Sequence, residues 1–340
     1  MKVFLAQLEE TELLPLLKTR SALSVANAVV DEPAAADLIL LLGSFSAKPN
    51  LLLDDPCYRA FPDRCAVYTE DDIYLPIVPG VYCSAHIDRH TQIGRIFSYT
   101  YISRNGRYKN PYLAEVDSAA PIASATRKKY LFSFQGGSTS LLRKRMFNLR
   151  FNRPDVLIEN TSAYYHWDDS QPERIDRQAI YAETVAASHF VLCPRGAGVA
   201  SIRFFEVMSA GIAPVLIADD YALPPGPAWD DFLLRVRERD IEKLPALLEK
   251  HLPSAAERGR LARETFLRYF SVQHEFDRVV ELAALSLRHA PPAEGYFRRQ
   301  QAAVIRRVNL QRRVRGLIRS AALRAIQLLH LENPYEMNTR

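Results

Sequence analysis

The chain has 340 residues, of which 48% are hydrophobic and 24% charged, an ordinary globular balance and long enough that two cores are expected. No apolar run approaches the roughly 20 residues that a bilayer crossing needs. The opening MKVFLAQLEE lacks the regions of a signal peptide, so the cytoplasm is the expected compartment. The formal charge of +5 is uneven: Arg288 to Arg340 holds 11 Arg, no Lys and 3 Glu, a local +8 that leaves the body at −3.

In chain order, MKVFLAQL (1–8) reads as a strand, and Leu13 to Ala28 as a weak helix interrupted by Pro15. ADLILLLG (36–43) is a strand apolar enough to be buried on both faces. Cys65 to Tyr68 is a third strand, running into Glu70-Asp71-Asp72, and Pro76 to Tyr82 is a rigid Pro/Gly turn. Residues 97–117 read as loop, and the small, polar, then basic stretch Asp117 to Lys129 as a domain boundary. The β-α pattern then restarts. Tyr130 to Phe134 is a strand, Ser138 caps a helix reaching about Leu149, Val156 to Glu159 is a short strand, and Ile175 to Ala187 is helical. A buried strand at Phe190 to Cys193 leads through Pro194-Arg195-Gly196-Ala197-Gly198 into a helix at 200–210 and a strand at Ala213 to Ala218. An edge strand at Phe232 to Val236 and helices at 242–251, 255–270 and 272–287 complete the body.

Strands alternating with helices in both halves imply an α/β protein of two parallel-sheet domains, 1–120 and 126–287, followed by a tail, 288–340. The four cysteines, Cys57, Cys65, Cys83 and Cys193, form no CxxC pair, so neither disulfides nor a zinc site is expected.

The stretch with most chemistry is Arg195-Gly196-x-Gly198-x-x-Ser201-x-Arg203-x-x-Glu206. Where a buried strand turns into its helix, free N–H groups and the positive end of the macrodipole favour an anion. Glycines let backbone approach a diphosphate, Ser201 offers a hydroxyl, and Arg195 and Arg203 offer charge with directed hydrogen bonds. Glu206 lies one turn from Arg203, where it can accept ribose hydroxyls or form a surface ion pair.

At these residues the chain resembles the exostosin-type glycosyltransferases, whose pattern runs roughly LCPRGxGxxSxRxFExxxxGxxPVxxxDxxxLP. Its fixed positions occur from Leu192 to Pro224, with Ile202 in place of a common Pro and Ile212-Ala213 in place of a common Cys-Ile. A second match, Tyr130 to Gly136 followed by Arg143, resembles the strand, glycine and arginine that open the family's nucleotide domain; Arg145 is the alternative to Arg143. The resemblance implies a GT-B architecture, two Rossmann-like domains facing across a cleft, with a nucleotide-sugar donor, expected to be UDP-linked, on the C-terminal one. A saccharide or lipid-linked saccharide acceptor is expected on the other. It implies an inverting, metal-independent transfer with no cofactor, serving cell-surface polysaccharide synthesis, and a non-catalytic binding or assembly subunit is the alternative. Arg143, Arg195, Gly196, Gly198, Ser201 and Arg203 are then expected on the diphosphate and Glu206 on the ribose.

Inversion needs a base on the acceptor hydroxyl. Asp72 is the first candidate and Glu70 the second, with Asp71 beside them and His86, His90 and His166 ranked below; these acids can equally solvate a loop or cap a helix. Asp219-Asp220 either caps the next turn or touches the donor. Neither acidic cluster, 70–72 nor Asp168-Asp169, forms a metal loop. The tail, Tyr296 to Leu331, reads as a basic amphipathic helix that either lies on an anionic membrane, as a peripheral enzyme at the inner face, or packs across the body. Nucleic acid is not an expected partner, because the tail has no interleaved aromatics and the body is acidic.

Overall fold

The computed structural model describes residues 1–106, 109–113, 127–164, 173–289, 298–310, 313–314 and 317. Its N-terminal half runs β1 (Lys2–Gln7), α1 (Leu13–Ser21), β2 (Ala28–Val29), β3 (Leu38–Leu42), α2 (Asn50–Leu53), α3 (Pro56–Ala60), β4 (Cys65–Thr69), β5 (Gly80–Tyr82), α4 (Arg89–Gln92) and β6 (Ile96–Phe97). All pairings are parallel, in the order β2-β1-β3-β4-β5-β6. The continuous apolar run of β3 follows from burial on both faces. Leu38, Leu40 and Leu42 enter one core while Ile39 and Leu41 enter the other.

The stretch expected as a turn at 76–82 contributes β5. Gly80 (φ +147°) lets it press against β4, since a Cβ there would stand 2.5 Å from the Val67 backbone nitrogen. The first helix stops at Ser21, short of the expected Ala28, and Ala28 itself starts β2.

The C-terminal half runs β7 (Tyr130–Gly136), α5 (Leu141–Asn148), β8 (Val156–Asn160), α6 (Arg174–Ala186), β9 (Ser188–Pro194), α7 (Ile202–Ser209), β10 (Ala213–Ile217), β11 (Leu234–Arg235), α8 (Leu244–His251), α9 (Ala255–Tyr269) and α10 (Val272–His289). Its five strands are again parallel, in the order β11-β10-β9-β7-β8. Two parallel α/β sheets facing across a cleft are the GT-B architecture expected from the sequence. The cap of α5 is Ser140, not Ser138: its hydroxyl accepts the Arg143 amide, whereas the Ser138 amide donates to Ser162 Oγ. The helix expected from Glu242 starts as a 3-10 turn at Glu238–Lys243 before α8.

The helix α10 follows the second domain in sequence yet packs on α1 and on β3 to β6 of the first sheet. One core therefore passes through both halves, joining Leu40 and Tyr68 to Phe205, Phe270 and Val279. Glu275 on α10, 0% exposed, accepts from Arg20, Arg104 and Asn105 of the first domain. Tyr99 OH donates to the Tyr269 carbonyl at 2.7 Å, and Arg104 Nη2 to that of Phe270 at 2.7 Å. Placing α10 with the second domain, 126–287, thus parts it from the sheet it covers; of the expected linker, Asp117 to Lys129, residues 117–126 lie outside the described residues.

Residues 298–310 are helical. Val304, Ile305 and Val308 pack on the first domain's outer core. Gln301 Nε2 donates to the Ile77 carbonyl at 2.7 Å, and Arg298 pairs with Asp63 at 2.8 Å. This part of the expected tail helix packs on the body, while Leu310, Val314 and Leu317 are exposed; the rest of 296–331 lies outside the described residues.

Candidate functional site

The chain leaves β7 toward β8 on one side, then returns to form β9 on the other, so the second sheet's order reverses between β7 and β9. Outside the carboxyl ends of such a pair, diverging loops leave a crevice. Here the crevice is bounded by residues 137–140, leading into α5, and 195–201, leading into α7. Both helices begin at it, with unpaired N–H groups and positive dipole ends. Ser201 occupies the N-cap position of α7 but makes no cap hydrogen bond with its side chain, so its hydroxyl is left for a ligand.

Two arginines enter this crevice. Arg143, 8% exposed, sends Nε to the Arg195 carbonyl (3.1 Å), Nη2 to that of Pro194 (3.1 Å) and Nη1 to that of Gly137 (3.3 Å). One guanidinium thus ties both loops together. Arg203 donates to the Gln135 carbonyl and lies over the Phe134 ring at 4.8 Å; its buried Nε and the Oε1 of Gln135 have no partner. Gly136 permits this approach, because a Cβ there would stand 3.0 Å from Arg203 Nη2. Burial first, and the Arg203 charge second, pull the Arg143 guanidinium down to about 9. Among the described residues, the hydrogen bonds of both arginines go to neutral carbonyls, with no carboxylate bound to either. Two adjacent, partly desolvated cations of this kind are stabilised by an anion.

The other expected donor-site residues divide. Gly196 lies against Arg143 and Thr139, with a virtual Cβ 3.5 Å from each side chain. Glu206 accepts from Tyr181 OH at 2.9 Å through Oε2, and Tyr181, on α6, also lies under Arg203. The side chain of Arg195 is occupied elsewhere: its Nε pairs with Glu238 at 2.7 Å, so among the expected arginines Arg143 and Arg203 are the ones that converge. Asp219 is a cap, its Oδ1 accepting the Glu238 amide at 3.1 Å. Arg145 is half-exposed and pairs with Glu242 at 3.1 Å, away from the crevice.

Across the cleft, the three consecutive acids have three environments. Glu70 turns into its own domain, accepting from Tyr68 OH (2.8 Å), the Ser103 amide (3.1 Å) and the Ser103 hydroxyl. Burial raises its pKa, and the Ser103 bonds oppose that. Asp71 caps the loop after β3, accepting from the Ser44 hydroxyl and the Phe45 and Ser46 amides. Asp72 alone reaches the second domain. Desolvation raises its pKa, while the Gly198 amide and the Arg143 charge hold it back. Asp72 as a residue is exposed, while its carboxyl is crowded by the opposite loop. His86 stacks on Tyr74 at 5.1 Å, and His90 Nδ1 meets Arg95 Nη1 at 3.1 Å, which gives both rings packing roles; His166 lies outside the described residues.

Tyr181 and Glu238 could not be found from sequence, because each reaches its partner from a separate element, 25 and 43 residues away.

Residues 87–251 match the Exostosin GT47 domain. The chain is 30% identical over 174 residues to the exostosin-1 homolog of Caenorhabditis elegans, a match covering 46% of this chain and 45% of that one. Exostosin-1 of Drosophila melanogaster is 33% identical over 108 residues, covering 28% and 14%. The probable glucuronoxylan glucuronosyltransferase IRX7 of Arabidopsis thaliana is 44% identical over 75 residues, covering 22% and 17%. The chain thus spans less than half the length of these relatives. Among solved structures, Anabaena HepE in complex with UDP aligns over 84% of this chain and 100% of that one, with 12% identity and a TM-score of 0.37.

Proposed function

We propose that this chain transfers a sugar from a nucleotide-diphosphate donor to a saccharide acceptor. The observation that carries the reading is the pair Arg143 and Arg203, set, among the described residues, without hydrogen-bonded carboxylate partners at the mouth of two helix N-termini and opposite Asp72. The donor diphosphate lies against Arg203, Ser201 and the amides of 196 and 197, with Arg143 bracing both loops. Glu206, oriented by Tyr181, accepts the ribose hydroxyls through its second oxygen. UDP is the nucleotide proposed.

In the transfer, Asp72 takes the proton of the acceptor hydroxyl as that oxygen attacks the anomeric carbon from the face opposite the diphosphate. The bond to the diphosphate oxygen breaks, and the electron pair leaves with it. Fixed arginine charge and two helix N-termini stabilise the charge that develops there, which supports a reaction needing no metal and inverting the anomeric centre. The same site without turnover would make the chain a binding or assembly subunit.

The proposed setting is the cytoplasmic face of a membrane, with a lipid-linked saccharide as acceptor in cell-surface polysaccharide synthesis. What supports it is the exposed row Leu310, Val314 and Leu317 beside the arginines of the tail. Titration with UDP and other nucleoside diphosphates, followed by transfer assays with donor and acceptor panels, tests the enzyme reading. Absence of nucleoside-diphosphate binding would sink it, and binding without transfer would favour the assembly subunit. Flotation with anionic vesicles, with and without residues 311–340, tests the membrane seat; equal flotation of both forms would remove it.

A further inference from the structure

Beyond the β7–β9 crevice, the second sheet carries another cavity, about 470 Å³, at the carboxyl ends of β10 and β11. Ala218, Asp219, Arg235, Val236, Arg237 and Arg239 line it. Arg235 ends β11 and Arg237 keeps the chain extended, so these two share a side, while Arg239 lies on the 3-10 turn Glu238–Lys243 that follows. All three arginines line the cavity, with Val236 buried between the first two. Asp219 is the single acid in the lining, and its Oδ1 already accepts the Glu238 amide. The lining therefore holds three guanidinium groups against one engaged carboxylate.

Arg235 and Arg237 are exposed and, among the described residues, neither makes an ion pair within 4 Å; Arg239 approaches only Asp240, at 3.7 Å. Glu238, which stands between the second and third arginine, turns away from them to bind Arg195. The charge of Glu238 goes to the neighbouring loop, and Asp240, the other acid beside the row, is bonded to Lys243 at 2.7 Å.

We propose that this cavity is a second anion-binding site, taking a carboxylate- or phosphate-bearing group. Planar guanidinium forks match both oxyanions, and a volume of this size accepts a sugar-sized unit. Its lining residues differ from those of the diphosphate crevice, and the two sites are joined by the Arg195–Glu238 pair, Glu238 bonding to Asp219 and the Arg195 carbonyl accepting from Arg143. The same chemistry has two sources, the acid group of a uronate-containing saccharide or a phosphate of the nucleotide itself.

The test uses the full chain and two probes, a short oligouronate and UDP, at low and physiological salt. Proteins compared are the wild type, Arg235→Ala/Arg237→Ala, and Arg203→Ala as a marker of the crevice. The cavity reading expects oligouronate or UDP affinity to fall about tenfold in the double variant, as loss of charge-assisted bonds does, and to weaken with salt. Loss of oligouronate alone assigns a saccharide acid; loss of UDP alone, with Arg203→Ala additive, assigns a nucleotide phosphate. Unchanged affinity for both probes in the double variant overturns the proposal. Failure of Arg203→Ala to alter UDP binding counts against the crevice and leaves the cavity to be judged on the double variant.

Discussion

Gly198 and Asp72 meet across the cleft, with the glycine amide facing the aspartate carboxyl and a virtual Cβ on Gly198 2.8 Å from the Asp72 carbonyl oxygen. The Ser84 hydroxyl closes the same space. Gly198→Ala therefore pushes backbone against backbone and parts the donor loop from the proposed base. A misplacement of about 1 Å is worth roughly a hundredfold in rate. The expected result is a large fall in kcat with nucleotide affinity nearly kept; an unchanged kcat would show that the contact has no catalytic consequence.

Asp72→Asn keeps the shape and removes the base. Transfer should fall by about 10² to 10⁴ while UDP binding holds. A base works when ionised, and desolvation raises the Asp72 pKa. The wild-type rate should accordingly be lost as pH falls through a value above the ordinary carboxylate range of about 4. For stability the sign is opposite. A raised pKa in the folded state favours the protonated form, so the contribution of Asp72 is greatest at low pH and is lost as pH rises. Thermal melting of Asp72→Asn at neutral pH should thus match or slightly exceed the wild type, and a large drop would mark a structural role instead.

The Tyr181 hydroxyl fixes one oxygen of Glu206 at 2.9 Å. Tyr181→Phe should weaken UDP binding by about tenfold, the worth of a hydrogen bond to a charged group, and Glu206→Ala by more. Because the deoxyribose form of the nucleotide offers one hydroxyl fewer, the penalty of Glu206→Ala should shrink with it. Calorimetry showing equal losses for both nucleotides would remove Glu206 from the ribose.

Glu275 ties α10 to the first domain through Arg20, Arg104 and Asn105. Glu275→Ala leaves two cations without their counter-charge, and breaking a buried pair of this kind costs about 3–5 kcal/mol. Denaturant melts should show that loss, and the domains should be cleaved more readily at their junction under limited proteolysis. A loss below about 1 kcal/mol would mean that water replaces the carboxylate.

The β9–α7–β10 unit was legible in the chain because its apolar runs are long, bracketed by Gly and Pro, and local in sequence. The expected anion loop followed from it, while the switch in strand order came only from the sheet pairing. What sequence left open depended on which way a side chain turns. Arg143 and Arg145 are two residues apart in one basic run, yet helical rotation buries the first beside Pro194 and leaves the second on the surface with Glu242. Ser138 and Ser140 differ only in which amide comes within reach.

By itself the sequence determined two α/β halves, the glycine-rich turn into α7 and the glycosyltransferase resemblance, all of which rest on short-range periodicity and contiguous motifs. Tertiary structure decided the rest. It sent Glu70 inward, spent Asp71 on a loop and brought Asp72 to Gly198; it gave Arg195 to Glu238 and Glu206 to Tyr181; and it laid α10 across the opposite sheet. The physical reason is common to these cases. Hydrogen bonding and burial of a polar side chain are set by groups that chain folding brings from distant positions, and no local pattern encodes which of several nearby acids or arginines will meet them.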